Sequence, residues 1–142
     1  MEPLDLSQHP PRSPRIRLGG VTMMARTVDK LRASLPGGNL GAYKIAGFSQ
    51  RLLEGLGIEE AQLREVVAKA HDDNDVAAWL AQNTNANKYD EINRQLENRR
   101  TTDMSEGFHE KYPVARKYDL EFVFDVLEYD DREMFGIKQP VA

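Results

Sequence analysis

The sequence predicts a mainly α-helical, compact single domain with an extended amino-terminal arm. Apolar residues recur at helical spacing through most of residues 21–136. Four prolines lie within the first 14 residues, where they disfavour both helix and central strand. The 142-residue chain is 40% hydrophobic and 30% charged, which is ordinary for a globular domain. We therefore expect an arm over residues 1–20, a helical body over 21–136 and a tail over 137–142.

The first helix follows the arm directly. Gly19 and Gly20 interrupt the chain, and Thr22 is a candidate N-cap. One helix face is then marked by Met24, Val28, Leu31 and Leu35. The sequence Pro-Gly-Gly at 36–38 ends this helix.

Three further helices are expected before residue 84. The loop over residues 37–47 leaves open one short extended piece near Tyr43 and leads to a helix that begins near Ser49. An amphipathic pattern over residues 63–70 predicts the third helix. The fourth begins after Asp73, a natural N-cap, and contains Trp79.

The carboxy-terminal third is harder to interpret. A fifth helix is expected over residues 88–100, a turn or two over 103–112, and a restart at Pro113. Residues 120–127 fit both a strand and a helix, and Asp119 as N-cap favours the helix. Asp130, with a glutamate three residues later, resembles a capping box for a separate short terminal helix.

Composition excludes several classes of chemistry. The chain has no cysteine, so disulfides, thiolate metal sites and cysteine nucleophiles are excluded. Its longest apolar run, residues 76–81, is too short to span a bilayer, and the proline-rich amino terminus lacks the apolar core of a secretory signal. We expect a cytoplasmic protein without a membrane partner.

Charge is unevenly distributed along the chain. Residues 1–51 carry eight basic and three acidic residues, a net charge of +5, and residues 52–142 carry eleven and twenty, a net charge of −9. An overall charge of −4 argues against a dedicated nucleic-acid-binding protein. The uneven distribution indicates either an anionic partner for the basic part or internal pairing between the two parts.

The basic cluster around the first helix is the main candidate site. Helix N-termini attract anions, and glycines allow the backbone to approach a ligand closely. A small-anion site is therefore hypothesised from Arg15, Arg17, Gly19, Gly20, Arg26 and Lys30. The alternative is that these arginines pair with Glu128, Asp130 and Asp131 and fasten the arm to the body.

The sequence contains no motif typical of a metal site or of a serine nucleophile. His9, His71 and His109 are isolated, and the acidic run at residues 71–75 lacks the glycine and distal glutamate of a calcium loop. No Gly-x-Ser-x-Gly motif occurs, so no catalytic residue is assigned. No metal and no cofactor is expected.

Several blocks resemble one family, and they occur in order along nearly the whole chain: PRSPRIRLGG, ARTVDKLRASLPGGNLGAY, LLEGLGI, VAAWL and FDVLEYDD. The sequence is similar to the bacterial family catalogued as domain of unknown function 5069, from about Leu6 to Gly136. The amino-terminal block, with its Arg-x-Arg and Gly-Gly, is the most specific. The resemblance implies a bacterial, mainly helical single-domain protein with no assigned activity.

Two classes of function follow as hypotheses. The first is a small non-enzymatic binding or interaction module with a small-anion site at the basic cluster. The alternative is a small enzyme that acts on a phosphorylated or carboxylated metabolite. A homodimer that buries apolar residues of the segment 120–127 is also left open.

Overall fold

The computed structural model describes residues 1–140 and confirms the mainly helical prediction. Pairing of extended segments within these residues is limited to three isolated bridges. The described residues form eight α-helices: α1 (Met24–Ala33), α2 (Phe48–Leu56), α3 (Glu60–Lys69), α4 (Asp73–Asn83), α5 (Tyr89–Glu97), α6 (Glu106–Lys111), α7 (Val114–Lys117) and α8 (Val123–Met134).

Helix α1 is the central element of the fold. Nine of its ten residues are buried, whereas a helix on the surface of a domain buries one face only. Its buried residues therefore include three charged ones, Arg26, Asp29 and Lys30. Buried charges need partners or an altered protonation state. The surroundings of α1 are therefore the first place to look for a functional site.

The arm packs on α1 and on the loop that follows it. Leu6 is fully buried, and its backbone N–H donates to the carbonyl of Asn39 at 2.7 Å. In return, the N–H of Asn39 donates to the carbonyl of Leu4 at 2.9 Å. Further along, the N–H of Met23 donates to the carbonyl of Pro14 at 2.8 Å. Backbone hydrogen bonds thus hold the arm at both of its ends.

Two predicted helix caps are wrong by one residue. The N-cap of α1 is Met23, in a left-handed conformation with φ of 67°, whereas Thr22 is buried and its hydroxyl donates to the carbonyl of Pro14 at 3.0 Å. The N-cap of α4 is Asp72, whose carboxylate accepts from the N–H of Asp75. In both cases the neighbouring contacts, and not the residue type alone, select the capping position.

The ambiguous segment near the carboxyl terminus is helical, but the helix begins at Val123 and not after Asp119. Asp119 has φ of 52°, and Phe122 is the N-cap. The backbone before Val123 is bonded elsewhere: the N–H of Thr101 donates to the carbonyl of Glu121 at 2.8 Å, and Arg100 forms a bridge with Phe122. The helix therefore cannot begin earlier.

The separate terminal helix predicted at Asp130 is also wrong. Asp130 lies in the third turn of α8, which continues without interruption to Met134. Gly136, with φ of 65°, follows the end of the helix. Of the expected tail over 137–142, residues 141 and 142 lie outside the described part of the chain.

The loop between α1 and α2 is mostly turn. The N–H of Tyr43 donates to the carbonyl of Leu40 at 3.0 Å, and the nearest bridge is at Asn39. This turn carries Tyr43 inward, where it is buried with Leu6 and Ala33. Among residues 1–140, no helix has the length and apolar character needed to cross a bilayer.

Candidate functional site

A pocket of about 460 Å³ lies beside α1. We call it the α1–α8 pocket; α6 and the loop over residues 42–47 complete its lining. Its size falls within the range of small-molecule sites, which are mostly apolar with a few polar groups. Six of its apolar wall residues are Met23, Phe48, Met104, Phe108, Val123 and Leu127.

Lys30 is the unusual residue of this pocket. It is only 7% exposed, and its ammonium group has no hydrogen bond or ion pair with any residue in the described range 1–140. Its Nζ lies 5.9 Å from the ring centroid of Tyr43. Burial, and then the positive charge of Arg26, lower the pKa of Lys30 to about 7. Lys30 therefore exists as a mixture of amine and ammonium near neutral pH.

Arg26 lies one turn before Lys30 and has a partner. Its Nη1 and Nη2 donate to the two carboxylate oxygens of Asp131 at 2.7 and 2.9 Å. The hydroxyl of Tyr43 donates to the same carboxylate at 2.7 Å. The Nε of Arg26 is buried without a hydrogen-bond partner among the described residues. Because Asp131 is already bonded to Arg26 and Tyr43, it forms no direct ion pair with Lys30.

The other side of the pocket contains Asp130 and Tyr112. Burial, and then the charge of Asp131, raise the pKa of Asp130, which forms no ion pair within residues 1–140. Burial and the charge of Asp130 raise the pKa of Tyr112 as well. The pocket thus contains a carboxyl group and a phenol that both retain their protons to higher pH than usual.

The mouth of the pocket is basic. Lys44 and Lys111 line it and are themselves exposed, which places them at the opening. Arg26 and Lys30 lie deeper. Four basic residues therefore line the pocket together with one acidic residue, Asp130. Asp131 binds Arg26 and is not itself part of the lining. A pocket with this excess of positive charge attracts anions.

The structure separates the residues of the hypothesised anion site into two groups. Arg26 and Lys30 line the pocket. Arg15 lies on the surface, where its Nη2 contacts Asp125 at 2.7 Å and its Nη1 contacts Glu128. Arg17 is also on the surface and contacts Glu97 at 3.0 Å. Neither residue of the Arg-x-Arg motif lines the pocket, and the two bind separate carboxylates.

Gly19 and Gly20 form a turn beside α4. Both have positive φ, and the bridge between Leu18 and Val21 closes the turn. A Cβ at Gly19 would lie 3.3 Å from the side chain of Leu80. The carbonyl of Gly20 accepts from Asn93 at 2.9 Å. These glycines therefore allow the turn to pack against neighbouring helices, and neither lines the pocket.

The acids named as charge partners take three different positions. Glu128 contacts Arg15, Asp131 binds Arg26, and Asp130 lines the pocket. Arg12, which the sequence hypothesis did not include, contacts Asp29 at 3.0 Å and Asp73 at 2.6 Å. Arg12 belongs to the same basic block, PRSPRIR, as Arg15 and Arg17, and this is the signal that would have included it.

Four pocket residues with polar or charged side chains were not singled out as site residues from the sequence: Tyr43, Lys44, Lys111 and Tyr112. They come from two loops and a six-residue helix, α6, that are distant in sequence from α1. No local pattern connects them, because tertiary packing alone brings these segments to α1. For Asp130 there was a signal, since it is seven residues after Val123 and shares that face once α8 is taken as one helix.

A second groove lies between α2 and α5 and is less suited to a ligand. It contains Arg51, Arg94 and Arg99, and most of its lining residues are exposed. The charges of Arg51 and Arg94 are exposed to solvent, whereas Lys30 in the α1–α8 pocket is buried. Among residues 1–140, no three acidic or histidine side chains come together in an arrangement that could hold a metal ion.

The comparison with known families gives one result. The sequence model of the family described as "Domain of unknown function (DUF5069)" matches residues 8–133. Because the match covers most of the 142 residues, the chain belongs to this family. No curated protein matches the sequence significantly. The family description states no activity, so the pocket itself has to carry the functional argument.

Proposed function

We propose that this member of the DUF5069 family binds a small organic anion with an apolar body in the α1–α8 pocket. The observation that carries the proposal is Lys30, a buried lysine without a partner among the described residues. Burying an ammonium group without a counter-ion is costly, and this cost is rarely retained in a fold without a functional reason. A bound anion would supply the missing counter-ion.

The walls of the pocket support an apolar body for this ligand. The side chains of Phe48, Phe108 and Leu127 offer contact area and no hydrogen bonds. A ligand with an anionic group at Lys30 and an aliphatic or aromatic body against these walls satisfies both parts of the pocket. The lysines at the mouth, Lys44 and Lys111, would increase the rate at which such an anion arrives.

A carboxylate suits this position better than a bare inorganic ion. The pocket volume of about 460 Å³ exceeds what one small ion can fill, and its walls offer mainly apolar contact. A non-enzymatic binding role is thus the simpler proposal. A bacterial, cytoplasmic setting belongs to the same proposal and is supported by the family resemblance and the absence of cysteine.

An enzyme that acts on a carboxylated metabolite is the second candidate. It is favoured by one observation: Lys30, with its lowered pKa, and Asp130, with its raised pKa, line the same pocket. Groups of opposite type whose pKa values are shifted towards neutrality are typical of acid–base sites.

The binding proposal is tested by thermal shift at constant ionic strength. The panel contains acetate, hexanoate, 3-phenylpropionate, inorganic phosphate and the uncharged 3-phenylpropanol. We expect hexanoate and 3-phenylpropionate to raise Tm more than acetate or phosphate does, and the alcohol to have no effect. A ligand at a hundred times its Kd stabilises by about 2.7 kcal/mol, which is easily measured.

Two variants make the test specific. Lys30→Met removes the ammonium and keeps an apolar stem, so it should lose the response to carboxylates. Lys69→Met is the matched control, because Lys69 is exposed on α3 and contacts Glu65 outside the pocket. The proposal fails if no carboxylate shifts Tm, or if Lys30→Met responds as strongly as the wild type.

A further inference from the structure

We propose that Lys30 forms an imine with the carbonyl carbon of a 2-oxo acid whose body lies in the α1–α8 pocket. This inference rests on the proposed binding of an organic anion and names the class of that anion. It also assigns a covalent role to the buried amine. Imine formation with such a ligand requires an unprotonated nucleophile, a proton donor for the departing oxygen, and a compensating charge beside the new iminium.

The first requirement is an unprotonated amine that opens into a cavity. Lys30 is buried and lines the pocket, so its amine meets the ligand space and little bulk water. Lysines become nucleophilic when they are desolvated or when another cation lies nearby, and Lys30 meets both conditions. Arg26 on the same helix and Lys111 on α6 both disfavour the ammonium form.

Charged groups face Lys30 from every element around it. Asp131 on α8 favours the ammonium form, but its carboxylate is bonded to Arg26 and to Tyr43. The remaining titratable groups of the pocket are Tyr43 and Lys44 from the loop, Tyr112 after α6, and Asp130 on α8. Burial, and then the charge of Arg26, lower the pKa of Lys30 to about 7, so free amine is present near neutral pH.

The second requirement is a proton donor within the same cavity. The amine lone pair attacks C2 of the 2-oxo acid, the attacking nitrogen gives up one proton and the carbonyl oxygen takes one up, which gives a carbinolamine. Loss of that oxygen as water, with a second proton, leaves the C=N bond to Lys30. Tyr112 lines the pocket, and burial raises the pKa of its phenol above the ordinary value, so the phenol can donate. Asp130, whose pKa burial also raises, lines the same pocket and can exchange protons with the reacting groups. No oxidant or reductant enters this step.

The third requirement explains the choice of a 2-oxo acid over a simple aldehyde or ketone. The protonated imine is a cation at a position that is only 7% exposed. In a 2-oxo acid the carboxylate is attached directly to the carbon that bonds Lys30. Its negative charge therefore lies beside the iminium and replaces the counter-ion that the protein does not provide.

The experiment is reductive trapping with the full chain. The protein is incubated at pH 7 with phenylpyruvate and sodium cyanoborohydride, and intact mass and peptide mapping are measured over time. We expect a single adduct on Lys30 that forms at least about tenfold faster than adducts on exposed lysines, whose free-amine fraction is about a thousandfold smaller at this pH. Competition with 3-phenylpropionate, which has no carbonyl, should slow this labelling.

The outcomes separate the inference from the proposed function. If 3-phenylpropionate stabilises the protein but trapping leaves Lys30 unmodified, the imine is excluded and anion binding stands. If 3-phenylpropionate has no effect and Lys30 is not trapped, both proposals are wrong. Lys30→Met should lose the fast adduct and Lys69→Met should keep it. Peptide mapping of the wild type locates the adduct even if Lys30→Met does not fold, and labelling spread evenly over surface lysines overturns the inference.

Discussion

At the scale of single residues, α1 contains two buried basic side chains, and they avoid the cost of an unpaired buried charge in different ways. Arg26 shares two hydrogen bonds with Asp131, so its charge has a partner. Lys30, four residues later, has none within residues 1–140 and instead shifts its pKa. The difference follows from chemistry: a guanidinium keeps its proton at any ordinary pH, whereas an amine can release it.

This difference predicts a pH-dependent effect of Lys30→Met. The pKa of Lys30 falls from 10.5 to about 7 on folding, so between these values the unfolded chain binds more protons and this group's contribution to stability rises with pH. Below pH 7 the folded protein bears the full cost of the buried charge, on the order of 4 kcal/mol. Lys30→Met removes this cost, and urea unfolding should show a clear gain at pH 6 that disappears near pH 10.

The control for this prediction is Lys69→Met, at an exposed position. It should change stability by less than about 0.5 kcal/mol at either pH, since isolated surface charges contribute little. A gain from Lys30→Met that is equal at pH 6 and pH 10 would contradict the lowered pKa.

Arg26→Met should be far more harmful than Arg17→Met. The Arg26 and Asp131 side chains are 3% and 7% exposed, and removal of the arginine leaves a buried carboxylate with only the hydroxyl of Tyr43 as donor. Such a loss costs roughly 3–5 kcal/mol. Arg17 is half exposed and pairs with Glu97 at the surface, where the loss is about 0–1 kcal/mol. If the free energies of unfolding of the two variants in urea differ by less than about 1 kcal/mol, the buried pair is not needed for stability.

The candidate site was only partly accessible from the sequence. The spacing of Arg26 and Lys30 places them on one helix face, and the structure places both at the pocket. Burial of that face could not be deduced, because a surface helix and a central helix can share the same apolar pattern. Lys111 and Tyr112 reach the pocket through the packing of α6, for which periodicity gives no information.

At the scale of elements, apolar periodicity located the helices better than their ends. The patterns at residues 24–35 and 63–70 correspond to α1, which buries Met24, Val28 and Leu31, and to α3, which buries Leu63 and Val67. The start of α8 was missed because the backbone just before it pairs with residues 99–101, 20 or more positions earlier. Contacts at such separation leave no local trace in the sequence.

The contact between arm and loop gives an element-scale prediction at Gly41. Its φ is +60°, and an added Cβ would lie 2.8 Å from the carbonyl oxygen of Leu6. Gly57 has a similar φ of +71° with open space around it. Gly57→Ala should therefore cost only the left-handed backbone strain, about 1–2 kcal/mol. Gly41→Ala should cost clearly more, because the arm must also shift.

Urea unfolding of the two glycine variants measures this difference directly. Equal losses of unfolding free energy in Gly41→Ala and Gly57→Ala would mean that the backbone of the arm at Leu6 can shift without cost. In that case the buried contact of Leu6 with Tyr43 would not fix the wall of the pocket.

At the scale of the whole molecule, the uneven charge along the chain is largely matched by pairing between its two parts. Arg12 contacts Asp73, Arg17 contacts Glu97, and Arg26 contacts Asp131, so bases of the first 51 residues meet acids of the remainder. The segment 120–127 was left open as an apolar dimer surface, but its residues Val123, Phe124, Val126 and Leu127 are buried within the chain itself. Residues 1–51 and the remainder of the chain are therefore joined by ion pairs and by shared buried residues.

We infer from these contacts that the arm and the helical body unfold together. The N–H of Leu6 and the N–H of Met23 both donate to backbone carbonyls across the arm contact, and both residues are buried. In native-state hydrogen exchange across a urea series, these amides should open with the same free energy as the amide of Thr27 inside α1. The N–H of Ser7, which lies in an exposed turn and donates only to the Asp5 carboxylate, should exchange much faster. If the amide of Leu6 exchanges with a far smaller free energy than that of Thr27, the arm opens independently, and the 1–20 segment would be a separate unit docked on a body that is stable without it.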